Sequence, residues 1–307
     1  MIEKKFQVLS AKNQRLDLFL KSKIQEFSRA HIQKAIKEGW VRVNDRPVKA
    51  SYRLKEGDLV SVQIIETLTE NELKPEKVDF DLLYEDDQIL VINKPSGLVV
   101  HPGAGVRSGT LVNGLLYRYP EIKLVGSPAR PGIVHRLDKE TSGAMVVARS
   151  QVAYQALRQQ FEERKIKKFY LALALGRFKQ KKGIIDLPLG RHVHHRQKIS
   201  VKTRKPRVAI THYEVLEEFK GTSFLMLKPL TGRTHQLRVH LSAIGHPLVG
   251  DSRYGGGGKK QLVKCPRLFL HAWRIALQHP VSGQEVEFEC PLPAELNLVL
   301  QSERQQK

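Results

Sequence analysis

Cysteine is almost absent from this 307-residue chain, which has two, Cys265 and Cys290. Each sits beside a proline, and neither has a neighbour at metal-ligand spacing. That excludes a disulfide-stapled framework and reads as two unpaired thiols in a reducing compartment, the cytoplasm. Long apolar runs are missing too: none approaches the ~20 residues that a membrane helix needs. The first residues, Met1-Ile2-Glu3-Lys4-Lys5, have no apolar stretch and small-residue cleavage site behind them, so no secretory signal is visible. Internal repeats and low-complexity tracts are lacking as well. Acidic residues are scarce against basic ones, 31 against 52, which leaves a formal net charge of +21. A field of that sign concentrates polyanions and speeds their encounter. Phosphate neutralisation with counterion release is its usual use, so a nucleic acid is the expected partner and a membrane is not. Charge alone does not say which nucleic acid.

The chain changes character near residue 70. Residues 11–65 read as a compact helical and strand unit. Arg15 to Lys23 carries Leu16, Phe19 and Leu20 on one helical face. Ser28 is placed to cap a second helix, Arg29 to Lys37, which ends at Gly39 and buries Ile32, Ala35 and Ile36. Two short strands follow, at Trp40–Val43 and Leu59–Val62, bounded by the turns Asn44-Asp45 and Gly57-Asp58. Arg29, Lys34, Lys37, Arg42 and Arg46 interleave with the apolar stripe and are candidates for one phosphate-facing surface. The segments RLDLFL (15–20), SRAHIQKAIKEGWVRVNDRPV (28–48) and LKEGDLVSV (54–62) resemble the small alpha-L RNA-binding domain of ribosomal protein S-four. The resemblance implies that Arg29, Lys34, Lys37 and Arg42 contact RNA.

Residues 66–77 are polar and read as a linker. A second domain is expected over 78–300. Gln88 to Asn93, Phe169 to Leu175 and Phe224 to Leu227 are buried-strand candidates, and Gln151 to Arg164 has helical apolar spacing. Strands and helices follow without a βαβ rhythm, so the fold class is α+β.

The densest chemistry lies in Arg130-Pro131-Gly132-Ile133-Val134-His135-Arg136-Leu137-Asp138-Lys139-Glu140-Thr141-Ser142-Gly143. A short apolar strand runs into charged and small residues, with Gly132 and Gly143 permitting tight backbone at its ends. A carboxylate presented on such a loop serves as nucleophile or base. From spacing alone, Arg136 and Asp138 are equally readable as a structural ion pair. The core of the block, HRLDKETSG, resembles the signature of the RluA/RluD-type pseudouridine synthases. LYEDDQILVINKPSGLVVHPG (83–103), KKFYLALALG (167–176), GRTHQLRVHLSAIGHPLVGDSRYG (232–255) and LFLHAWRIALQHPVSG (268–283) follow in that family's order. The resemblance runs from residue 78 to about 293.

It implies a mixed, largely antiparallel sheet, a basic central cleft and isomerisation of uridine in structured RNA. It implies Asp138 as the catalytic carboxylate, with Arg238 pairing to it and Tyr170 stacking on the flipped uracil. His135, Arg136, Arg233, Gln236 and Leu237 are expected to line the substrate. The reaction breaks a carbon–nitrogen glycosidic bond, turns the uracil and rejoins it through carbon 5. No redox change occurs, so no cofactor is expected. Two routes stay open: Asp138 attacks sugar or ring, or it takes a proton from the sugar to give a glycal. Large-subunit ribosomal RNA is the first expected target and transfer RNA the second, acted on by a monomer. The reading from another class is a non-catalytic RNA-binding or ribosome-assembly factor, which places no demand on Asp138.

Three other features draw attention. His192, His194 and His195 are flanked by Arg191 and Arg196 and lack partner acids, so Arg191 to Arg207 reads as a basic RNA-facing hairpin rather than a metal site. Gly255 to Gly258 lacks the pattern of a phosphate-binding loop and reads as a surface turn. His235 and His240 beside Arg238 are read as orienting or packing residues.

Overall fold

The computed structural model describes residues 2–306 apart from 11–12, 25–26, 28, 65–72, 104, 194, 196–197 and 256–262. The cap expected at Ser28, the middle histidine His194 and the glycine run from residue 256 lie outside the described residues. The chain divides into two compact units, Met1–Glu72 and Leu73–Lys307.

The first unit holds β1 (Ile2–Gln7), α1 (Leu16–Lys23), α2 (Arg29–Lys37), β2 (Val41–Val43), β3 (Arg46–Pro47) and β4 (Leu59–Ile64). Its strands form an antiparallel sheet in the order β1-β4-β2-β3. Leu16 and Leu20 of α1 meet Ile32, Ala35 and Ile36 of α2 over Val41, Val43, Val60 and Val62. Strand β1 lies outside the 11–65 segment, because Lys4-Lys5 interrupts its apolar alternation. Asp17 is fully buried and accepts hydrogen bonds from Arg15, Arg29 and Gln33. Those donors hold its carboxyl well below the usual range against the cost of burial. Arg29 stays exposed while its Nε and Nη2 donate to Asp17 at 2.9 and 2.7 Å. Lys37, Arg42 and Arg46 stay exposed, and Lys34, also exposed, lies 3.9 Å from Glu38.

The second unit contains β5 (Asp81–Glu85), β6 (Ile89–Lys94), α3 (Leu111–Arg118), β7 (Gly126–Ser127), β8 (Arg130–Pro131) and β9 (Ser142–Ala148). Next come α4 (Gln151–Glu162), β10 (Lys167–Leu175), β11 (Lys182–Asp186), β12 (Gly190–Arg191), β13 (Ile199–Ser200), β14 (Ile210–Glu218) and β15 (Thr222–Pro229). The chain ends with α5 (Gln236–Ala243), β16 (Leu270–Gln278), β17 (Glu285–Glu289) and α6 (Ala294–Gln305). The main sheet runs β11-β14-β15-β10-β16-β9-β6-β5, with β17 on β16. Its described pairings are antiparallel except one, β9 with β16, at Ser142↔His271 and Gly143↔Ala272. Beyond that contact β9 turns away and β17 takes the same edge of β16.

Both faces of the sheet are covered, which explains the continuous apolar runs. In β6, Leu90 and Ile92 face Leu111 and Leu115 of α3, while Ile89 and Val91 face Ala153 and Leu157 of α4. In β10, Ala172 and Ala174 face Leu237 and Leu241 of α5, while Leu171 and Leu173 face Leu296 and Leu300 of α6. Of the expected linker 66–77, the described part begins at residue 73. Asn113 Nδ2 donates to Lys74 O at 2.7 Å, and Glu76 N donates to Asn113 O at 3.1 Å, so this stretch is fixed to α3. No described helix is long and apolar enough to cross a membrane.

Candidate active site

Asp138 sits on the loop between β8 and β9, and its surroundings explain the residues around it. Ile133 and Leu137 are buried and anchor the loop to the cluster beneath α3. Gly132 has φ +70°, and a Cβ there would lie 2.7 Å from Ala148 O. Gly143 has φ +116°, and a Cβ there would fall 2.2 Å from Ala272 O, where β9 meets β16. Both ends of the loop thus require glycine. Between them, Asp138 is half-buried and faces a cavity of about 450 Å³. That volume is in the ~300–1,000 Å³ range of ligand pockets.

A second segment, absent from the expected site residues, holds the loop in place. Lys94 ends β6, is fully buried, and donates to Pro95 O at 2.7 Å, Leu98 O at 2.9 Å and Lys139 O at 3.2 Å. Gly97 N donates to Lys139 O at 2.8 Å, and Ser96 Oγ donates to Glu140 O at 2.8 Å. Burial pushes the Lys94 pKa down to about 7 while the Asp138 charge pulls it up. Three carbonyl acceptors require three N–H bonds, so the geometry needs the ammonium form. The only signal in the sequence was a lysine closing an apolar strand.

The facing wall comes from β10, the loop after β15, and α5. Tyr170 is half-buried and packs against the clusters under both α3 and α5. Burial, then the charge of Asp138, raise its phenol above the ordinary tyrosine range. Arg238 is buried in the cavity wall, but its strong contacts differ from expectation. Its Nε and Nη2 each donate to Asp251 at 2.8 Å, and Nη2 lies 3.2 Å from Glu140. No direct ion pair with Asp138 is seen among the described residues. Asp138 instead acts on Arg238 as a nearby charge, and together with Asp251 and Glu140 raises its pKa. The bidentate fork fits Asp251, whose carboxylate also takes the amides of Arg253 and Tyr254. Neither Asp251 nor Glu140 was among the expected site residues: Glu140 stands in the charged block beside Asp138, and no spacing marks either acid as the partner of Arg238.

Gln236 lines the cavity with its amide held by the protein. Its Oε1 accepts from Thr231 Oγ1 and Arg233 N, and its Nε2 donates to Ile210 O and Thr211 Oγ1. These four hydrogen bonds fix the amide and shape the loop after β15. Leu237 is buried against β10 and β15 and reaches the cavity. Arg233 is half-buried, lines the cavity and donates Nε to Val208 O at 3.2 Å.

The histidines separate by environment. His135 lines the cavity, stacks on Phe161 at 4.7 Å and accepts from Val146 N at 3.0 Å. Desolvation, then Lys168, push its pKa down to about 3. His235 has φ 54° at the start of α5. Tyr254 Oη accepts from Ile199 N and lies 2.8 Å from His235 Nδ1. The contact ties the His235 ring to Tyr254, and the ring tautomer sets which of the two donates. His240 is buried between Thr211 Oγ1 and Leu187 O, a packing role. Arg136 is exposed, lines the cavity and brings Nη1 to 3.5 Å from His101 Nε2. His192 and His195 approach each other, ring centroids 5.1 Å apart, on the hairpin β12–β13. Among the described residues no group of three metal-ligating side chains converges.

The arrangement presents a carboxylate, a protonated phenol and several cations to one cavity of nucleoside size. Residues 88–243 match the family described as RNA pseudouridylate synthase, and residues 14–60 match the S4 domain. An uncharacterized RNA pseudouridine synthase of Bacillus subtilis is 40% identical over 95% of this chain and 95% of its own. A ribosomal large subunit pseudouridine synthase D of Nitrosomonas europaea is 41% identical over 94% of this chain and 84% of its own. Among solved structures, human RNA pseudouridylate synthase domain containing 1 aligns with TM-score 0.59 and 30% identity, covering 75% of this chain and 97% of that one.

Proposed function

The chain belongs to the RNA pseudouridylate synthase family, and from that premise we propose that it isomerises particular uridines of large-subunit ribosomal RNA with Asp138 as its catalytic carboxylate. The observation that carries the reading is the convergence of Asp138, Tyr170 and Arg238, three residues far apart in the chain, on one cavity. The similarity to ribosomal large subunit pseudouridine synthases D supports the choice of RNA. The S4 match supports a second RNA contact through the first unit.

Each side chain has a part in the chemistry. The uridine leaves its stack to enter the cavity, as base-modifying enzymes require. Asp138 acts on the nucleoside as nucleophile or base, and both routes need the ionised form. Arg238, held by Asp251 and Glu140, supplies positive potential beside that carboxylate without satisfying it. Asp138 thus stays free for the substrate. Tyr170 gives the detached uracil a ring to turn against, and Arg136, exposed at the rim, reaches for the RNA the flipped base leaves behind.

Asp138→Asn tests the assignment, because the amide is nearly isosteric and uncharged. We expect it to abolish tritium release from RNA labelled at uracil carbon 5 while RNA affinity stays within about tenfold, ~1.4 kcal/mol. Near-normal release by the variant rejects Asp138 as the catalytic group. Ribosomal and transfer RNA transcripts assayed side by side decide the substrate.

A further inference from the structure

Lys168 precedes Tyr170 by two positions on β10, and both side chains line the cavity. It is half-buried, and no carboxylate pairs with it among the described residues. Its Nζ lies 5.7 Å from the centroid of Phe161, the ring that stacks on His135. A Cβ built at Gly232 would stand 3.9 Å from the same Nζ, so the ammonium lies against the loop that carries Arg233. Arg233 is half-buried too and uses Nε on a backbone carbonyl, again without a carboxylate partner among the described residues. Arg238, on the same cavity, is instead ion-paired with Asp251 and Glu140. The wall formed by Lys168 and Arg233 therefore carries two cations that no carboxylate pairs with among the described residues.

A partly desolvated cation without a partner is costly, and the face of Phe161 offsets only part of that cost. An anion entering the cavity recovers the rest. We propose that Lys168 and Arg233 form a phosphodiester subsite, which grips the RNA backbone beside the uridine that faces Asp138. This rests on the reading of the cavity as the uridine site. A lysine offers a point charge and an arginine a planar fork, the pair of donors that suits the non-bridging oxygens of one phosphate. Burial lowers the Lys168 pKa, and a bound phosphate reverses that trend. Lys168 acts on position and affinity; it does not take part in bond breaking.

The test uses the full-length protein and two probes. Fluorescein-labelled decauridylate reports binding, and an unmodified large-subunit ribosomal transcript tritiated at uracil carbon 5 reports turnover. Lys168→Met is expected to weaken decauridylate binding about tenfold. It also lowers the slope of log affinity against log salt by ~0.7, the loss of one single-strand phosphate contact. Lys168→Arg keeps the wild-type slope. Lys179→Met, which removes an equal charge from an exposed loop, leaves it unchanged. In single turnover, Lys168→Met raises the half-saturating enzyme concentration about tenfold with the plateau rate within about threefold of wild type. Lys168→Gln is read in its place if Lys168→Met does not fold. Inorganic phosphate at matched ionic strength displaces decauridylate no better than chloride does; stronger displacement makes this a free-phosphate site and rejects the backbone assignment. An unchanged salt slope in Lys168→Met, or a fallen plateau at unchanged half-saturation, overturns the proposal. If the wild-type enzyme releases no tritium from the transcript, the ribosomal reading fails, and the decauridylate measurements still decide the subsite.

Discussion

Two residues beside Asp138 have their chemistry set by where they are held. Tyr170 keeps its proton at neutral pH, since burial and the Asp138 charge both disfavour the phenolate. On the proposed mechanism such a phenol takes the proton of carbon 5 only by passing its own to a base in the same step, and Asp138, whose charge it feels, is the carboxylate placed to receive it. We expect Tyr170→Phe to bind RNA normally and turn over at least ~10²-fold more slowly, the low end of positioned acid–base catalysis. Tyr170→Leu, which removes the ring as well, loses affinity too, by ~1–3 kcal/mol for one lost stacking platform. Single-turnover rates at saturating enzyme separate the two, and a Phe variant as fast as wild type makes Tyr170 a stacking surface only. Lys94 is the second case. Its ammonium gathers three carbonyls, one of them in the loop that carries Asp138. Lys94→Met leaves those acceptors buried without donors, at a cost of ~1–3 kcal/mol each. The urea midpoint is expected to fall with an unchanged m-value, and turnover with it; an unmoved midpoint shows that water or the backbone replaces the amine.

Among the elements, those whose residues carry a period were legible. Helix α2 follows from Ile32, Ala35 and Ile36, and β6 and β10 from apolar runs that end up covered on both faces. Strand β1 was not, since a pair of lysines breaks its alternation. The segment Lys94–Gly97 reads as a turn, but a turn pattern does not say where a lysine head points. Likewise the Gly232–His240 stretch marks Arg238 as a site residue without naming Asp251 as its partner. Pairings of that kind are made by tertiary packing and leave no spacing to read. The first unit invites its own test. A chain beginning at Leu73 keeps the whole second sheet and loses the exposed Lys37, Arg42 and Arg46. It is expected to bind RNA more weakly and with a shallower salt dependence, by ~0.7–0.9 for each phosphate the first unit contacts. Equal slopes for the two chains show that this unit touches no phosphate in the complex.

For the whole molecule, three histidines of the second unit tie its stability to pH. His101 and His271 are buried with pKa values pushed down to about 4, and His135 is pushed down to about 3, desolvation being the largest cause in each. An unfolded histidine titrates near ~6.5, so below that pH the unfolded chain binds protons that the folded one refuses. The stability these groups contribute is complete above ~6.5 and is lost as pH falls toward 4, by ~1.4 kcal/mol per pH unit for each histidine. Thermal unfolding followed from pH 7 to 5 is expected to shift steadily downward, and a flat profile shows that the rings are protonated in the folded state. The parallel contact of β9 with β16 has a consequence for how the molecule is made. Strand β16 stands between β10 and β9, yet it lies near the end of the chain, almost half its length beyond Ser142. During synthesis the strands on either side are finished long before the one that joins them. Until it emerges, β9 and β10 each expose an unpaired edge to solvent. The loop bearing Asp138 and the wall bearing Tyr170 belong to separate half-sheets, so a chain that stops before Leu270 contains Asp138, Tyr170 and Arg238 but lacks the strand that brings them to one cavity.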